Sequence, residues 1–352
     1  MHAIVPPYLL ARVAASAQYP KAAEAARATL AVPRGFHPVR SRLVLSIDET
    51  GALVAETAPS PDRTISDAQN TETLPGLTVR TEDAPATGDE AADQAFDGLG
   101  ATFAFWWDAY RRNSVDAAGE ALLATVHYGT DYDNAFWNGE RMVFGDGDGE
   151  VFTGFTGSLT VIAHELAHAV TEHTAALVYS GQSGALNESV SDVFGALVEQ
   201  HSLGQTADAA SWLIGVGIFT EAVQGVALRS MKAPGTAYDD DVLGRDPQPA
   251  HVDDYVDTID DNGGVHINSG IPNHAFYLAA TALGGRAWER AGLVWYRTLT
   301  GGTLSSTATF AQFAQATVEA AAAEFGESSV EADAVATAWR QVGVLAAEGP
   351  TA

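Results

Sequence analysis

"VIAHELAHAV", residues 161–170, decides how this chain reads. Most of the stretch would line a buried helix, yet it carries His164, Glu165 and His168. Each is costly to bury without a partner. His164 and His168 stand four residues apart and so stack on one helix face, where both imidazoles can meet a single metal ion. Glu165 precedes His168 by three, on the adjoining face, and can reach water at that ion without ligating it. This is the H-E-x-x-H arrangement, and zinc is its usual occupant. Ser158 is placed to cap the helix start, and Val161, Ile162, Leu166 and Val170 supply apolar packing.

A catalytic zinc site wants three protein ligands and an open fourth position. "ALNESVSDVFGALVEQ" (185–200) offers the third. Glu188 and Asp192 are again four apart, on one face of a second amphipathic helix. Glu188 aimed at the histidine pair completes a His-His-Glu set, and Asp192 can accept a hydrogen bond from the second nitrogen of a ligating histidine. Zinc acidifies water and polarises a carbonyl, and Glu165 can take the proton. The oxyanion that develops needs hydrogen-bond donors. Tyr179, between the two helices, and His266, in "DDNGGVHINSGIPNHAFY" (260–277), are candidates. Adjacent glycines there let the backbone approach a substrate closely, and Asp261 can hold the imidazole.

The bulk composition narrows the alternatives. The 352 residues contain 45 acids and 18 bases, a formal charge of -27. Nucleic acid and anionic membrane surfaces would repel such a chain. There is no cysteine, which rules out disulfides and a thiol nucleophile. No run reaches the ~18 apolar residues of a membrane span. "MHAIVPPYLLARVA" lacks a basic n-region and is interrupted by two prolines, unlike an ordinary secretory signal. "GQSG" (181–184) lacks the pattern of a nucleophile elbow.

"YLLARVAASA" and "KAAEAARATL" predict two short helices broken near Pro20, and "RLVLSID" (42–48) a strand. "AETAPSPDRT" (55–64) reads as a flexible, cleavable linker. "GLTVR", "ALLATVHYG" and "RMVFGDGDGEVF" carry strand signals, with a helix near 88–112 between the first two. Helices are expected at 158–174, 187–201, 211–225, 268–283, 286–300 and 307–324, with another closing the chain. The expected α+β architecture therefore has a β-rich half and an α-helical half with the 158–174 helix at their junction, where clefts commonly hold active sites.

At this point the sequence resembles the thermolysin family of zinc metallopeptidases. The resemblance rests on "NAFWNGERMVFGDGDG" (134–149), "VIAHELAHAVTEHTAALVY" (161–179), "NESVSDVFG" (187–195), "ALRSM" (227–231) and "DNGGVHINSGI" (261–271), in the family's order. It implies a zinc endopeptidase with a two-lobed fold, the zinc site lying between the lobes. The implied ligands are His164, His168 and Glu188, with Glu165 as base. His266 would donate a proton or stabilise the oxyanion, with Tyr179 assisting, and Asp192 and Asp261 would orient histidines. Asn134, the Ala135 carbonyl and Arg229 would hold the substrate backbone. Phe152, Phe155, Val161 and Leu228 would line a pocket for a bulky apolar residue just after the cut.

"PPYLL" (6–10) is similar to the short pro-region of protealysin-type members. The implied organisation is a small helical propeptide at 1–55, a β-rich lobe at 56–178 that includes the zinc helix, and an α-helical lobe at 179–352. We expect the propeptide to dock through Pro7, Tyr8 and Leu9 and block the cleft. Larger relatives bind calcium through several acids near the zinc helices. Of the matching positions Glu199 remains, but Thr160, Ser211, Leu213 and Val216 replace acids. Calcium needs six to eight oxygens, so the double-calcium site is expected to be missing. "DGDGE" (146–150) reads as a turn, because its twelfth position is Gly157 rather than glutamate.

The expected partners are peptide or protein substrates and the propeptide itself, with no nucleic acid, no membrane and a monomeric chain. The resemblance implies an extracellular enzyme, while cytoplasmic residence or export by another route stays open. A non-catalytic peptide-binding protein and a zinc hydrolase of non-peptide amides also stay open; Glu165 speaks against the first.

Overall fold

The computed structural model describes residues 2–32 and 59–346, together with two short strands at Ser46–Ile47 and Leu53–Val54. The expected boundary at residue 55 and most of the expected 42–48 strand lie outside the described residues. The chain opens with strand β1 (His2–Ala3) and helices α1 (Pro7–Ala14) and α2 (Pro20–Ala31). Both helices start on proline, whose missing N–H is no loss in a first turn. Helix α1 buries Leu9, Leu10 and Val13, and α2 buries a row of alanines and Thr29.

Strands β2 (Ser46–Ile47) and β3 (Leu53–Val54) form a small ribbon of their own. They are followed by β4 (Thr64–Asp67), β5 (Leu77–Thr81) and helix α3 (Glu90–Tyr110). The Asp89 carboxylate accepts the Ala92 N–H at 2.9 Å, and Glu90 and Asp93 suit the positive end of the helix dipole. Strands β6 (Leu123–Val126), β7 (Ala135–Trp137) and β8 (Met142–Phe144) complete a six-stranded sheet in the order β1-β7-β8-β6-β4-β5. The N-terminal strand is thus an edge of this sheet, antiparallel to β7 with His2 opposite Trp137 and Ala3 opposite Phe136. Of the expected 141–152 strand only β8 forms. Beyond it Asp148 accepts the N–H groups of Glu150, Val151 and Phe152, which folds "DGDGE" into a turn.

Helix α4 (Leu159–Glu172) follows, with every residue from Thr160 to Thr171 buried. A fully buried Val or Leu contributes about 1.5–3 kcal/mol, so the apolar flanks of this helix anchor it firmly. Ser158 does occupy the N-cap position, but its hydroxyl bonds Thr160 Oγ1 at 3.1 Å and makes no cap to the helix backbone. Helix α5 (Gly181–Leu203) packs along α4 and ends at Gly204, whose φ of 63° glycine adopts freely.

The expected helix at 211–225 does not form. Strand β9 (Leu213–Ile214) pairs there with β10 (Arg229–Ser230). Gly215 and Gly217 take φ of 76° and 83°, so an apolar run with helical spacing is folded as turns by its glycines. A short ribbon, β11 (Asp239–Asp240) with β12 (Gly244–Arg245), precedes α6 (Asp261–Asn268) and α7 (Gly270–Leu283). Helices α8 (Ala291–Thr300), α9 (Phe310–Phe325) and α10 (Val330–Gln341) close the chain. The architecture is α+β, with the sheet in the first half and helices in the second.

Candidate active site at the α4–α5 junction

Helices α4 and α5 bring His164, His168 and Glu188 together in the interior, all three fully buried. Their ligand atoms lie within 4.8 Å of one another. The two Nε2 atoms are 3.0 Å apart, and Glu188 oxygens stand 3.4 Å and 3.5 Å from them. The far side of each ring is spoken for. His164 Nδ1 meets Asp192 Oδ1 at 2.8 Å, and His168 Nδ1 meets Asn187 Oδ1 at 2.7 Å and Ser191 Oγ at 3.0 Å. Asn187 Nδ2 donates to the Leu177 carbonyl at 3.0 Å, so its oxygen must face His168. Both imidazoles therefore carry Nδ1–H and turn an Nε2 lone pair inward.

Two imidazole lone pairs and a carboxylate facing one point fit a divalent cation, and zinc, a borderline-soft ion, takes such nitrogen and oxygen donors. Glu188 Oε2 is buried with no hydrogen-bond partner among the described residues, which also fits a ligand oxygen. Burial works against charge on His164, yet the Asp192 and Glu188 carboxylates lift its imidazole to about 9. The buried carboxylates call for positive charge, and Arg229 supplies part of it from the far side of Asp192.

Glu165 sits beside the cluster, also fully buried. Its Oε2 accepts the Trp137 N–H at 3.0 Å, while Oε1 has no partner among the described residues. Burial pushes this carboxyl up to about 8 against the pull of His164. His266 faces the same space from α6. Its Nδ1 lies 2.6 Å from Asp261 Oδ1, and Asp261 Oδ2 accepts the His266 N–H at 2.9 Å. Burial opposes charge on His266, but Asp261 and Glu188 raise its pKa. The glycines expected to admit a substrate serve this contact. Asp261, Asn262, Gly263 and Gly264 all take positive φ, a left-handed run that folds Asp261 back onto His266. A Cβ on Gly264 would come within 2.8 Å of the Asn268 amide. The Tyr179 hydroxyl donates to Glu188 Oε1 and stands 3.3 Å from His266 Nε2.

Strand β1 and the residues after it run through this space. Ile4 N donates to the Ala135 carbonyl at 3.1 Å, Val5 N to Asn134 Oδ1 at 2.9 Å, and Asn134 Nδ2 returns a bond to the Val5 carbonyl at 3.1 Å. Arg229 donates to the Ile4 carbonyl at 3.2 Å, and His266 Nε2 is 3.0 Å from the Ala3 carbonyl. The expected docking through Pro7, Tyr8 and Leu9 is therefore shifted toward the N-terminus. An extended segment can pair with the β7 edge, and prolines have no N–H with which to do so. Leu9 packs into the core, and the Tyr8 hydroxyl is buried against Tyr238. A second anchor lies on two acidic loops, one before β7 and one after β8. Lys21 Nζ reaches the Asp148 carbonyl at 2.6 Å and Asp131 at 3.1 Å, and Glu150 accepts the Ala22 N–H at 3.0 Å.

Phe152, Phe155, Val161 and Leu228 are all buried in one apolar cluster that also contains Ile4 and Val5, and the two phenyl rings are 5.9 Å apart. Around Glu199 two of the positions singled out in the sequence, Ser211 and Leu213, join its hydrogen-bond network, while Thr160 bonds Gly215. Thr160 Oγ1 accepts the Gly215 N–H at 2.9 Å, and Ser211 Oγ reaches both Glu199, at 3.4 Å, and the Leu213 N–H, at 3.3 Å. The partners of His168, Asn187 and Ser191, were not singled out from the sequence. Asn187 sits in the "NESVSD" run immediately before Glu188, and its place on the α5 face one position from a ligand was the available signal.

The chain as a whole is similar to known proteins. The family description "Thermolysin metallopeptidase, catalytic domain" matches residues 52–172, and "Thermolysin metallopeptidase, alpha-helical domain" matches 175–344. The chain is 50% identical over 341 residues to an extracellular metalloprotease of Pectobacterium carotovorum subsp. carotovorum, covering 97% of this chain and 96% of the relative. It is 51% identical over 306 residues to protease PrtS of Photorhabdus sp. (strain Az29), covering 86% and 81%. The structure of the precursor of protealysin, a metalloproteinase from Serratia proteamaculans, superposes with a TM-score of 0.89 at 50% identity, covering 98% of this chain and all of that one (100%).

Proposed function

Because this chain belongs to the thermolysin family of metallopeptidases, we propose a division of labour among its own residues. The chain is a zinc neutral endopeptidase with an N-terminal propeptide. His164, His168 and Glu188 hold the zinc, which when bound supplies Lewis acidity at the substrate carbonyl. Glu165 accepts the proton of the attacking water and returns it to the leaving nitrogen. His266, held by Asp261, donates to the oxygen that becomes negative, and Tyr179 stands beside it. Asp192 keeps His164 in its tautomer. Ala135, Asn134 and Arg229 grip the substrate main chain, and Phe152, Phe155, Val161 and Leu228 take a bulky apolar residue just after the cut.

In the precursor, residues 3–5 use the same grips. The observation that carries this reading is that Ile4 and Val5 donate to Ala135 and Asn134 while Arg229 and Asn134 donate back to their carbonyls, with the Ala3 carbonyl at His266. The segment excludes a substrate by lying where one would lie. We place the propeptide at 1–55 and the two lobes at 56–178 and 179–352. The region around Glu199 works without calcium, because Thr160, Ser211, Leu213 and Val216 stand where further oxygen ligands would be needed. The enzyme acts outside the cell as a monomer, in keeping with relatives named as extracellular metalloproteases.

Glu165→Ala tests the mechanism. The variant is expected to bind zinc and fold, and to lose about 10²–10⁴-fold in turnover, the usual worth of a positioned proton acceptor. Equal turnover in variant and wild type would refute the assignment. Removing residues 1–55 is expected to raise activity from the first minute, and a panel of peptides varied after the cut reads the pocket.

A further inference from the structure

We infer that Asn273 is a positioning residue of this peptidase, fixing the Asp192 carboxylate that orients the zinc ligand His164 and the substrate-gripping Arg229. The inference rests on the zinc-site reading above.

A carboxylate offers about four lone-pair directions. Asp192, with no exposed surface, has all four met. Oδ1 takes His164 Nδ1 at 2.8 Å and one Arg229 terminal nitrogen at 2.8 Å. Oδ2 takes Arg229 Nε at 2.8 Å and Asn273 Nδ2 at 2.8 Å. Three of these donors belong to groups with a second duty. The His164 ring must present Nε2 to the metal. Arg229 spends its remaining terminal nitrogen on the carbonyl of the strand in the cleft. Asn273 alone has no such duty. It is fully buried on α7, and its neighbours Phe276, Ala279 and Ala280 root that helix in the core.

The arrangement links substrate grip to metal grip. A pull on Arg229 from a substrate carbonyl would rotate the Asp192 carboxylate, and with it His164, unless a donor from a separate rigid element opposed it. Asn273 is that donor. Its Oδ1 is buried with no partner among the described residues, so the amide is oriented for the sake of the single bond its nitrogen makes. Turning the amide over would set oxygen against the Asp192 oxygen, which electrostatics forbids.

Asn273→Leu removes the donor at similar volume, and Asn273→Asp keeps the shape and removes the permanent N–H. The full chain is stripped of metal and reloaded against a chromophoric chelator, and the melting temperature of each zinc-free form is measured in parallel. Both variants are expected to weaken zinc binding about 10–100-fold, the usual worth of an outer partner of a metal ligand. After propeptide removal, KM for peptides should rise together with a fall in kcat, since Arg229 and His164 share the carboxylate. A purely structural asparagine would lower the melting temperatures of zinc-free and zinc-loaded protein equally and leave the zinc dissociation constant within twofold of wild type; that result in whichever variant folds overturns the inference. A wild-type chain that failed to bind zinc would instead sink the metallopeptidase reading.

Discussion

The two ends of α5 treat their acids differently. Near its start Glu188 and Asp192 are fully buried and stay charged, because histidines and Arg229 face them. Burial opposes their ionisation, but His266 and His168 hold Glu188 well below the usual carboxylate range, and Arg229 and His164 hold Asp192 down. Near its end Glu199 meets the Ser211 hydroxyl, and burial raises its pKa. One helix therefore carries a site built to balance positive charge and a remnant with none to balance. The lesson is that an acid at a helix position announces nothing by itself; what faces it decides whether it serves as a ligand, a support or a packing group.

Four experiments break or sharpen that contrast. Glu188→Ala should have the largest effect, a loss of activity beyond ~100-fold with less than one zinc per chain by metal analysis, since a ligand matters more than its supports. It should also destabilise the chain by about 3–5 kcal/mol, as breaking a buried charge network does. Full zinc occupancy would erase the difference between the two ends. Asp192→Asn should come next, with zinc affinity or turnover down about 10–100-fold while the fold survives.

Glu199→Gln should act with the opposite sign and a smaller size. A carboxyl whose folded pKa is raised contributes stability below its unfolded value near ~4.3 and loses it as pH rises through the folded value. Glutamine removes that loss, so the melting temperature should rise at pH 7.5, by an amount corresponding to about 0.5 kcal/mol or less, and stay unchanged at pH 4. A fall at pH 7.5 would mean that Glu199 is paired after all. Calcium should do least. An ion bound here at a hundred times its Kd would add about 2.7 kcal/mol of stability. We expect calcium to leave the melting temperature where a calcium-selective chelator leaves it, and a calcium-dependent rise would return this end of α5 to the metal sites.

Local signals carried much of the site. The i, i+4 pairs His164–His168 and Glu188–Asp192 were legible because helical periodicity stacks them whatever the rest of the chain does. The propeptide helices were legible because "YLLARVAASA" and "KAAEAARATL" carry helical spacing and Pro20 breaks them. The 211–225 segment was misread because its spacing suits a helix, whereas Gly215 and Gly217 turn the chain so that β9 can pair with β10 and hold Arg229. Asn187, Ser191 and Asn273 escaped because amides and hydroxyls are common on buried helix faces, and only the side chain opposite gives each a task.

The sequence by itself determined which residues can ligate and which helices present them, since both follow from backbone periodicity and donor chemistry within a few turns. Tertiary structure alone decided where the N-terminal segment lies and what supports the ligands. Strand pairing between Ala3 and Phe136, and the four donors gathered on Asp192 from three distant segments, are contacts across more than twenty-five residues of chain. No local pattern encodes them, because they exist only once the core has brought those surfaces together.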